Sequence, residues 1–357
     1  MDSNSNFTKE EKIFLDNSVN YMEKCEQGIL INPGPFKSLE NPKISVIIPV
    51  YNASSTIKKA IRSIQNQKFE EIEIILIDDC SPDNSYSIME ELMKEDPRIK
   101  LFKNEKNRGV LYTRVSASLK AKGKYITYLD NDDMFIRDDL FNIIYNEIEK
   151  NDYDIVEFNG YSTHDYHLIN KNKNIQNTSP FKNDTEIKQP ELSKIFLKRI
   201  NDDKVELGDN FLWGKIFKTD LMKKSINIIG KEKYEGKVLY HDDDCVNCIC
   251  LQNAKSFKFI NIFGIFYYTN QESVTHSKRP FQICHDILHF FYFLDEFYAQ
   301  DEKENIAIRL MNEWDFRITE GLNEENIEYG KKLIEKLMSY DSIKDKIKNK
   351  VKEVCKV

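Results

Sequence analysis

Between residues 43 and 134, short apolar runs alternate with longer stretches of helical pattern. The apolar runs, rich in isoleucine, lie at 44–50, 72–77, 99–102 and 125–129. The helical stretches between them lie at 55–66, 85–95 and 109–121. Nearly continuous apolar runs separated by helices predict a parallel sheet whose connections are right-handed crossovers. This part of the chain is therefore expected to form a nucleotide-binding α/β fold.

The segments on either side of this pattern differ in composition. Residues 1–42 are polar, with one predicted helix from Lys9 to Cys25, and we interpret them as an N-terminal helical appendage. The main domain is placed at 43–284, with a nucleotide-binding half at 43–134 and an acceptor-binding half at 135–284. Residues 285–357 are predicted to be helical. The aromatic stripe that begins at Phe290 is compatible with internal packing, a homodimer surface or a partner site.

A polar cluster with three carboxylates follows the fourth apolar run. It consists of Asp130, Asn131, Asp132 and Asp133. Carboxylates packed this closely repel one another unless a hard cation or hydrogen-bond donors neutralise them. Because ligands bind at the carboxyl ends of strands in open α/β sheets, a divalent cation here would bridge phosphate oxygens. The alternative is an acidic turn that caps the next helix, since Asp138 and Asp139 follow closely.

Two earlier strand ends carry candidate contacts to a ligand. The first strand is expected to break at Pro49, because proline lacks a hydrogen-bond donor, so that Tyr51 offers its ring to a base. Alternatively, Tyr51 is the last aromatic residue of the core. The second strand ends in Asp78 and Asp79, and a carboxylate there can accept the imino hydrogen of a pyrimidine ring.

Composition and charge narrow the class of protein. A chain of 357 residues that is 40% hydrophobic can form a sizeable core. Its net charge of −7 argues against nucleic acid as a partner. No run approaches the ~20 apolar residues that span a bilayer, which predicts a cytoplasmic protein with no transmembrane segment. The seven cysteines are scattered, and Cys245 and Cys248 are interpreted as buried thiols on a helix.

Five motifs lie in order across about ninety residues, at 44–52, 77–85, 107–114, 121–126 and 129–133. Together they resemble the family 2 glycosyltransferases. The resemblance implies the GT-A fold, an α/β, Rossmann-like nucleotide-binding domain with a mixed sheet, here followed by a helical C-terminal region. It also implies a nucleoside diphosphate sugar as donor and Mn²⁺ or Mg²⁺ as cofactor.

The resemblance assigns roles by position. The implied nucleotide-binding residues are Pro49, Val50, Tyr51, Asn52, Asp79, Arg114, Asp130 and Asn131. Asp79 matches the carboxylate that contacts the base, and Asp130 matches the residue near the ribose. Asp132 matches the principal metal ligand and Asp133 a supporting one, while His276 is a candidate to complete the metal shell.

A second acidic cluster, Asp242-Asp243-Asp244, lies in the other half of the chain. With Asn247 as anchor it resembles the family's Glu-Asp motif, with Asp242 at the Glu position and Asp243 at the catalytic base. Asp replaces Glu, however, and Asp244 leaves the register ambiguous by one residue. Such a cluster can raise one pKa toward the working pH, as a general base requires. Alternatively, the three acids only complement a helix dipole.

Two further residues are candidates for contacts on the acceptor or diphosphate side. Trp213 lies in a segment similar to the family's Trp-centred segment, where its ring would stack on the acceptor sugar or belong to the core. Arg279 follows an aromatic strand predicted at 263–268 and would face the diphosphate from a mobile loop. For His276 and Arg279, the alternative is an ordinary surface loop.

The sequence thus predicts a metal-dependent inverting glycosyltransferase. It would transfer a hexose from a nucleoside diphosphate sugar, UDP being favoured over GDP, to a hydroxyl of an unidentified glycan, protein or lipid acceptor. A non-catalytic glycosyltransferase-like scaffold protein is the first alternative, favoured by the altered acidic motif. A nucleotidyltransferase is the second, but it would need a glycine-rich phosphate loop that residues 52–56 do not supply.

Overall fold

The computed structural model of this chain describes residues 7–31, 34–171, 176–189, 191, 197–201, 204–207, 211–229, 242–269, 335 and 339. The helices in these ranges are α1 (Lys9–Glu26), α2 (Ile57–Gln65), α3 (Ser85–Glu95), α4 (Val110–Lys120), α5 (Leu140–Asn151), α6 (Thr219–Ile229) and α7 (Asp242–Asn253). The strands are β1 (Ile44–Val50), β2 (Ile72–Asp78), β3 (Ile99–Lys103), β4 (Tyr125–Tyr128), β5 (Met134–Phe135), β6 (Ile155–Thr163), β7 (Gln176–Asn177), β8 (Thr185–Lys188), β9 (Leu197–Asn201), β10 (Lys204–Leu207), β11 (Lys215–Lys218) and β12 (Ser256–Tyr268).

The predicted parallel sheet is confirmed in the order β3-β2-β1-β4. Every residue of β1, β2 and β4 is buried, as expected for strands covered on both faces. The chain moves from β1 through β2 to β3 in one direction and then returns to place β4 on the other side of β1. A reversal of this kind opens a crevice between the carboxyl ends of β1 and β4, where ligands bind in such sheets.

Beyond β4 the sheet becomes mixed. It continues as β11-β6-β12-β5, with β11 antiparallel to both β4 and β6 and with β12 parallel to β6. β12 also pairs with β5 through Phe266↔Met134, so the segment that follows the Asp cluster is held against residues 265 and 266. The mixed α/β architecture that the resemblance implied is therefore present.

The N-terminal helix α1 packs against the main part of the chain, whereas the predicted domain division at residue 42 stays a prediction. Leu15 and Met22 of α1 are buried in a cluster with Met134 and Phe266, on either side of the β5–β12 pairing. The hydroxyl of Tyr21 donates a hydrogen bond to the carbonyl oxygen of Ser63 in α2, at 2.7 Å. The sequence predicted helix α1, but the apolar face of a helix does not indicate which part of the protein packs against it.

The structure also bears on two expectations drawn from composition. Among the described helices, none is long and apolar enough to cross a membrane. Cys245 and Cys248 are fully buried thiols in α7, as the sequence predicted. The predicted C-terminal helical region and its aromatic stripe at 285–357 lie outside the described residues, apart from residues 335 and 339, and the domain boundaries remain predictions.

Candidate active site

The loops that follow β1 and β4 meet at the crevice where the strand order reverses. The side-chain amide of Asn131, after β4, donates a hydrogen bond to the carbonyl oxygen of Pro49, at 3.2 Å. Tyr51 is 48% exposed, so its ring is accessible to a ligand. Asn52 has a φ of 52°, in the left-handed region that asparagine tolerates better than most residues. The structure thus brings together the loops that carry four predicted nucleotide-binding residues, Pro49, Tyr51, Asn52 and Asn131.

The first strand does not break at Pro49. β1 pairs with β2 through Pro49↔Ile77 and on to its last residue, Val50. The carbonyl of Pro49 faces the loop after β4, beyond the last β1–β4 pair, so the missing N–H of proline costs no ladder bond. Val50 is 1% exposed and its carbonyl accepts a hydrogen bond from the N–H of Asp79. Its side chain therefore belongs to the core, and its role in the nucleoside pocket stays a prediction.

Asp79, after β2, organises the loop that leads into α4. One carboxylate oxygen accepts hydrogen bonds from the Asn104 side chain and the Arg108 N–H, both at 2.8 Å. The other accepts from the N–H of Gly109, also at 2.8 Å. A carboxylate has about four acceptor positions, so one remains for a ligand. The predicted contact of Asp79 with a base remains a prediction, and the structure adds a role in ordering the loop.

The Asp cluster after β4 does not cap a helix. Helix α5 begins seven positions beyond Asp133, at Leu140, and its N-cap residue is Asp139. Asp133 is instead fully buried, where one carboxylate oxygen, Oδ1, accepts a hydrogen bond from the N–H of Tyr268 at 2.8 Å. Its other oxygen, Oδ2, is buried without a hydrogen-bond partner in the described part of the chain. An orphaned buried oxygen of this kind calls for an additional partner.

Uncompensated negative charge also characterises this loop. Burial raises the pKa of Asp132 to about 6, with a further contribution from Asp130, and the Lys59 ammonium only partly opposes it. Burial, Asp132 and Asp130 likewise raise the pKa of Asp133 well above its usual range. Hard divalent cations prefer carboxylate oxygens and offset such charge. Asp132 and Asp133 therefore fit a cation.

A complete protein shell for a metal is not present, however. Within the ranges that the structure describes, no three His, Cys, Asp or Glu side chains converge on a common metal position. Mg²⁺ sites often use only one or two carboxylates, with waters and phosphate oxygens as the remaining ligands. The two carboxylates at this loop are compatible with a site of that kind.

Arg114 joins the two acidic clusters. One guanidinium nitrogen, Nη2, lies 2.5 Å from the carboxylate of Asp130. The other, Nη1, contacts the carboxylates of both Asp242 and Asp243 in the first turn of α7. Arg114 lies on α4, and its side chain is only 6% exposed. Its role in the nucleotide site stays a prediction, and the structure adds contacts to both acidic clusters. Asp130 and the pair Asp242 and Asp243, which lie more than a hundred positions further along the chain, thus share one guanidinium.

The charges around Arg114 do not balance. Burial raises the pKa of Asp243 well above its usual range; Arg114 opposes this, and Asp242, Asp130 and Asp244 add to it. The pKa of Asp242 is raised for the same reasons, with burial again the largest cause. One guanidinium faces three carboxylates, so Arg114 offsets only part of their negative charge. A carboxyl group with a raised pKa is suited to general base catalysis.

Asp244 differs from its two neighbours. Asp242 and Asp243 keep side-chain exposures of 13% and 17%, whereas Asp244 is only 3% exposed and turns into the protein. The register that was ambiguous by one residue in the sequence therefore favours Asp243 over Asp244 as the group that a substrate can reach.

Trp213 is packed on both faces, which favours its alternative as a core residue. Its ring stacks on Phe211 at a centroid distance of 4.5 Å and on Tyr267 at 5.0 Å. Trp213 is 6% exposed, whereas Phe211 is 37% exposed. A sugar therefore has no free face of Trp213 on which to stack.

Two predicted site residues cannot be placed. His276 and Arg279 lie outside the described residues, and so do Tyr240 and His241 just before α7. Their roles stay predictions.

Comparison with protein families adds an independent finding. The family model described as "Glycosyl transferase family 2" matches residues 45–202, from β1 into the hairpin of β9 and β10. This part of the chain belongs to glycosyltransferase family 2. The match includes the loops after β1, β2 and β4, which carry the Asp cluster, and ends before α7.

Curated relatives carry similar family 2 sequences over a limited stretch. An uncharacterized glycosyltransferase of Haemophilus influenzae is 44% identical over 99 residues, which are 28% of this chain and 40% of that protein. The GalNAc(5)-diNAcBac-PP-undecaprenol beta-1,3-glucosyltransferase of Campylobacter jejuni is 43% identical over 93 residues, which are 26% of this chain and 30% of that protein. The chain thus matches less than half the length of these relatives.

Solved structures show the fold over a much longer range. A crystal structure of residues 1–349 of Staphylococcus aureus TarS has a TM-score of 0.59, covering 85% of this chain and 82% of that one. At 17% sequence identity, this likeness supports the family 2 fold and nothing finer. The GT-A fold expected from the sequence motifs is therefore confirmed.

Sequence reasoning missed the partners that surround the predicted acids. It placed Arg114 in the nucleotide site without its contacts to Asp242 and Asp243, because those lie more than a hundred residues away. It also missed Tyr267, whose ring lies against Trp213. The aromatic strand was recognised, but alternation along a strand does not indicate which ring faces the site.

Proposed function

We propose that this protein is a metal-dependent inverting glycosyltransferase that transfers a hexose from a nucleoside diphosphate sugar to an acceptor hydroxyl. The observation that carries the proposal is the Arg114 guanidinium, which holds Asp130 of the donor loop beside Asp243 of α7. A single displacement needs the leaving group and the base on opposite sides of one carbon. Two acidic clusters fixed by one side chain are suited to that requirement.

The donor side is formed by the crevice between β1 and β4. In the proposal, the ring of Tyr51 stacks on the base, the remaining acceptor position of Asp79 receives its imino hydrogen, and Asp130 lies near the ribose. TarS, which shares the fold, has been crystallised with UDP and with UDP-GlcNAc. UDP sugars are therefore the donors that we favour for this chain.

The metal would be Mn²⁺ or Mg²⁺, held by Asp132 and Asp133. The orphaned Oδ2 of Asp133 and the raised pKa of Asp132 support this assignment. When bound, such a cation offsets the negative charge that develops on a departing diphosphate. We keep His276 as a proposed further ligand and Arg279 as a proposed contact to the diphosphate.

Asp243 is proposed as the base, with Asp242 beside it. Arg114 engages Oδ1 of Asp243, and within the described residues Oδ2 has no hydrogen-bond partner. Oδ2 would take the proton of the acceptor hydroxyl while the acceptor oxygen forms a bond to the anomeric carbon and the bond to the diphosphate breaks. Attack from the side opposite the leaving group inverts the anomeric configuration. The acceptor, whether glycan, protein or lipid, is not specified by these residues.

Calorimetric titration with UDP tests the donor and metal assignments together. We expect UDP to bind at least about tenfold more tightly with Mn²⁺ than with EDTA, and Asp132→Asn to remove that difference, because losses in metal affinity of this size follow even from changes to the partners of metal ligands.

Asp152→Asn is the matched control for this titration. Asp152 has a φ of 54° at the end of α5, and its side chain is 81% exposed, so asparagine is tolerated there. This variant should bind UDP as the wild type does. Equal affinity for UDP in Mn²⁺ and in EDTA would contradict the metal assignment, and no binding of UDP in either would contradict the donor assignment.

A further inference from the structure

Tyr267 lies beside the loop that carries Asp130, Asp132 and Asp133. It is the second-to-last residue of β12, and the next residue, Tyr268, donates its N–H to the buried carboxylate of Asp133. The preceding residue, Phe266, pairs with Met134, which directly follows Asp133. Backbone pairing on both sides thus fixes the position of Tyr267 relative to the Asp cluster.

The ring of Tyr267 is held rigidly. It stacks on Trp213 with an interplanar angle of 14°, and Trp213 stacks in turn on Phe211. Trp213 also forms a backbone bridge to Tyr128, the last residue of β4. The tyrosine ring is therefore one layer of an aromatic stack that is anchored to the strand preceding the Asp cluster.

The phenol of Tyr267 senses carboxylates from both clusters. Burial raises its pKa, and so do Asp133, Asp130 and Asp132 on one side and Asp243 on the other. An ordinary tyrosine is already protonated at neutral pH, so this hydroxyl is a neutral hydrogen-bond donor there. Among the described residues, it has no hydrogen-bond partner, whereas the buried hydroxyls of Tyr21 and Tyr128 are both engaged.

A single displacement places the transferred sugar between the leaving diphosphate and the base. In the proposed function, the leaving diphosphate lies at the Asp130–Asp133 loop, and the base is Asp243. The Tyr267 ring, placed beside the Asp cluster by β12 and stacked on Trp213, borders the same space. We propose that the hydroxyl of Tyr267 binds a hydroxyl of the transferred sugar, and that its ring, held by Trp213, forms one wall of the sugar subsite.

This inference rests on the proposed function, and the two can fail separately. The test compares Tyr267→Phe with the wild type by calorimetry in Mn²⁺, using UDP, UDP-glucose, UDP-galactose and UDP-GlcNAc as titrants. Phenylalanine keeps the aromatic stack and removes only the hydroxyl. We expect the affinity for UDP to stay within about twofold, and the affinity for the best-bound sugar nucleotide to fall about threefold to tenfold, as for the loss of one hydrogen bond.

Tyr125→Phe is the matched control. Tyr125 is buried at the start of β4, at the other end of that strand from Tyr128, and its hydroxyl donates a hydrogen bond to Glu149 at 2.8 Å. This variant should bind all four titrants as the wild type does. The inference is overturned if Tyr267→Phe binds sugar nucleotides as tightly as the wild type, or if it loses UDP and sugar nucleotides equally. A wild type that binds none of the titrants overturns the proposed function, and this inference with it.

Discussion

Replacing Asp243 with asparagine is expected to slow sugar transfer by about 10²–10⁴-fold, the usual contribution of a general base. Asparagine has the same shape and retains an oxygen for Arg114, but it cannot take a proton. UDP affinity in Mn²⁺ should be nearly unchanged, because Asp243 lies on α7 and the proposed metal ligands lie after β4. Steady-state rates of nucleoside diphosphate release, with UDP affinity measured in parallel, check both parts.

The dependence of kcat on pH in the wild-type protein should also show that Asp243 is the base. Burial, Asp242, Asp130 and Asp244 raise the pKa of Asp243, and Arg114 opposes them. The deprotonated form is the base, so kcat should rise with pH through this raised pKa, and the Asp243→Asn variant should lose that rise. Asp152→Asn should behave as the wild type does. A rate in Asp243→Asn within about threefold of wild type would show that another group takes the proton, since even a weak general base contributes more.

Replacing Arg114 with methionine is expected to destabilise the protein by about 3–5 kcal/mol, because removing one partner leaves buried charges uncompensated. Arg114 contacts Asp130, Asp242 and Asp243, whose side chains are 25%, 13% and 17% exposed. Methionine retains much of the volume of the aliphatic stem, so the loss is electrostatic. Urea denaturation at neutral pH measures it.

The destabilisation should shrink at lower pH. Without the guanidinium, the folded-state pKa values of Asp242 and Asp243 move further above their unfolded values. The free energy of unfolding of the variant is then greatest below the unfolded pKa, about 4, and decreases as the pH rises through the folded-state pKa values. The difference between wild type and variant should therefore be smaller near pH 5 than near pH 7.5.

Arg137→Met is the control for this comparison. Arg137 pairs with Asp139, whose side chain is 40% exposed, so the loss should stay within about 1 kcal/mol. A loss in Arg114→Met as small as this would mean that Arg114 does not hold the two clusters together.

The sequence predicted the parallel half of the fold well because its signal is local. The run at 44–50 reappears as β1, and the helix predicted at 85–95 reappears as α3. The position of α1 could not be predicted, because an amphipathic helix does not indicate which surface it covers. The break expected at Pro49 was wrong for a similar reason: the cost of proline depends on whether a neighbouring strand extends that far.

The site was predictable as a set of residue types but not as an arrangement. Asp132 and Asp133 were candidates because an acidic cluster at a strand end is visible in a single sequence, whereas Asp243 was assigned by the resemblance to the family's Glu-Asp motif. The shared contact to Arg114 depends on how α4 packs against α7, which no local pattern encodes. Trp213 illustrates the converse, because only the packing of Phe211 and Tyr267 decides between a sugar platform and a core residue.

The release of nucleoside diphosphate from sugar nucleotides by the wild-type protein tests the central claim most directly. A panel of UDP and GDP sugars, incubated with the protein and Mn²⁺, reports both base and sugar before any acceptor is known. The account predicts turnover of at least one UDP sugar, stopped by EDTA and restored by excess Mn²⁺. Binding of UDP without turnover of any sugar nucleotide in the panel would contradict it and would favour a non-catalytic scaffold protein.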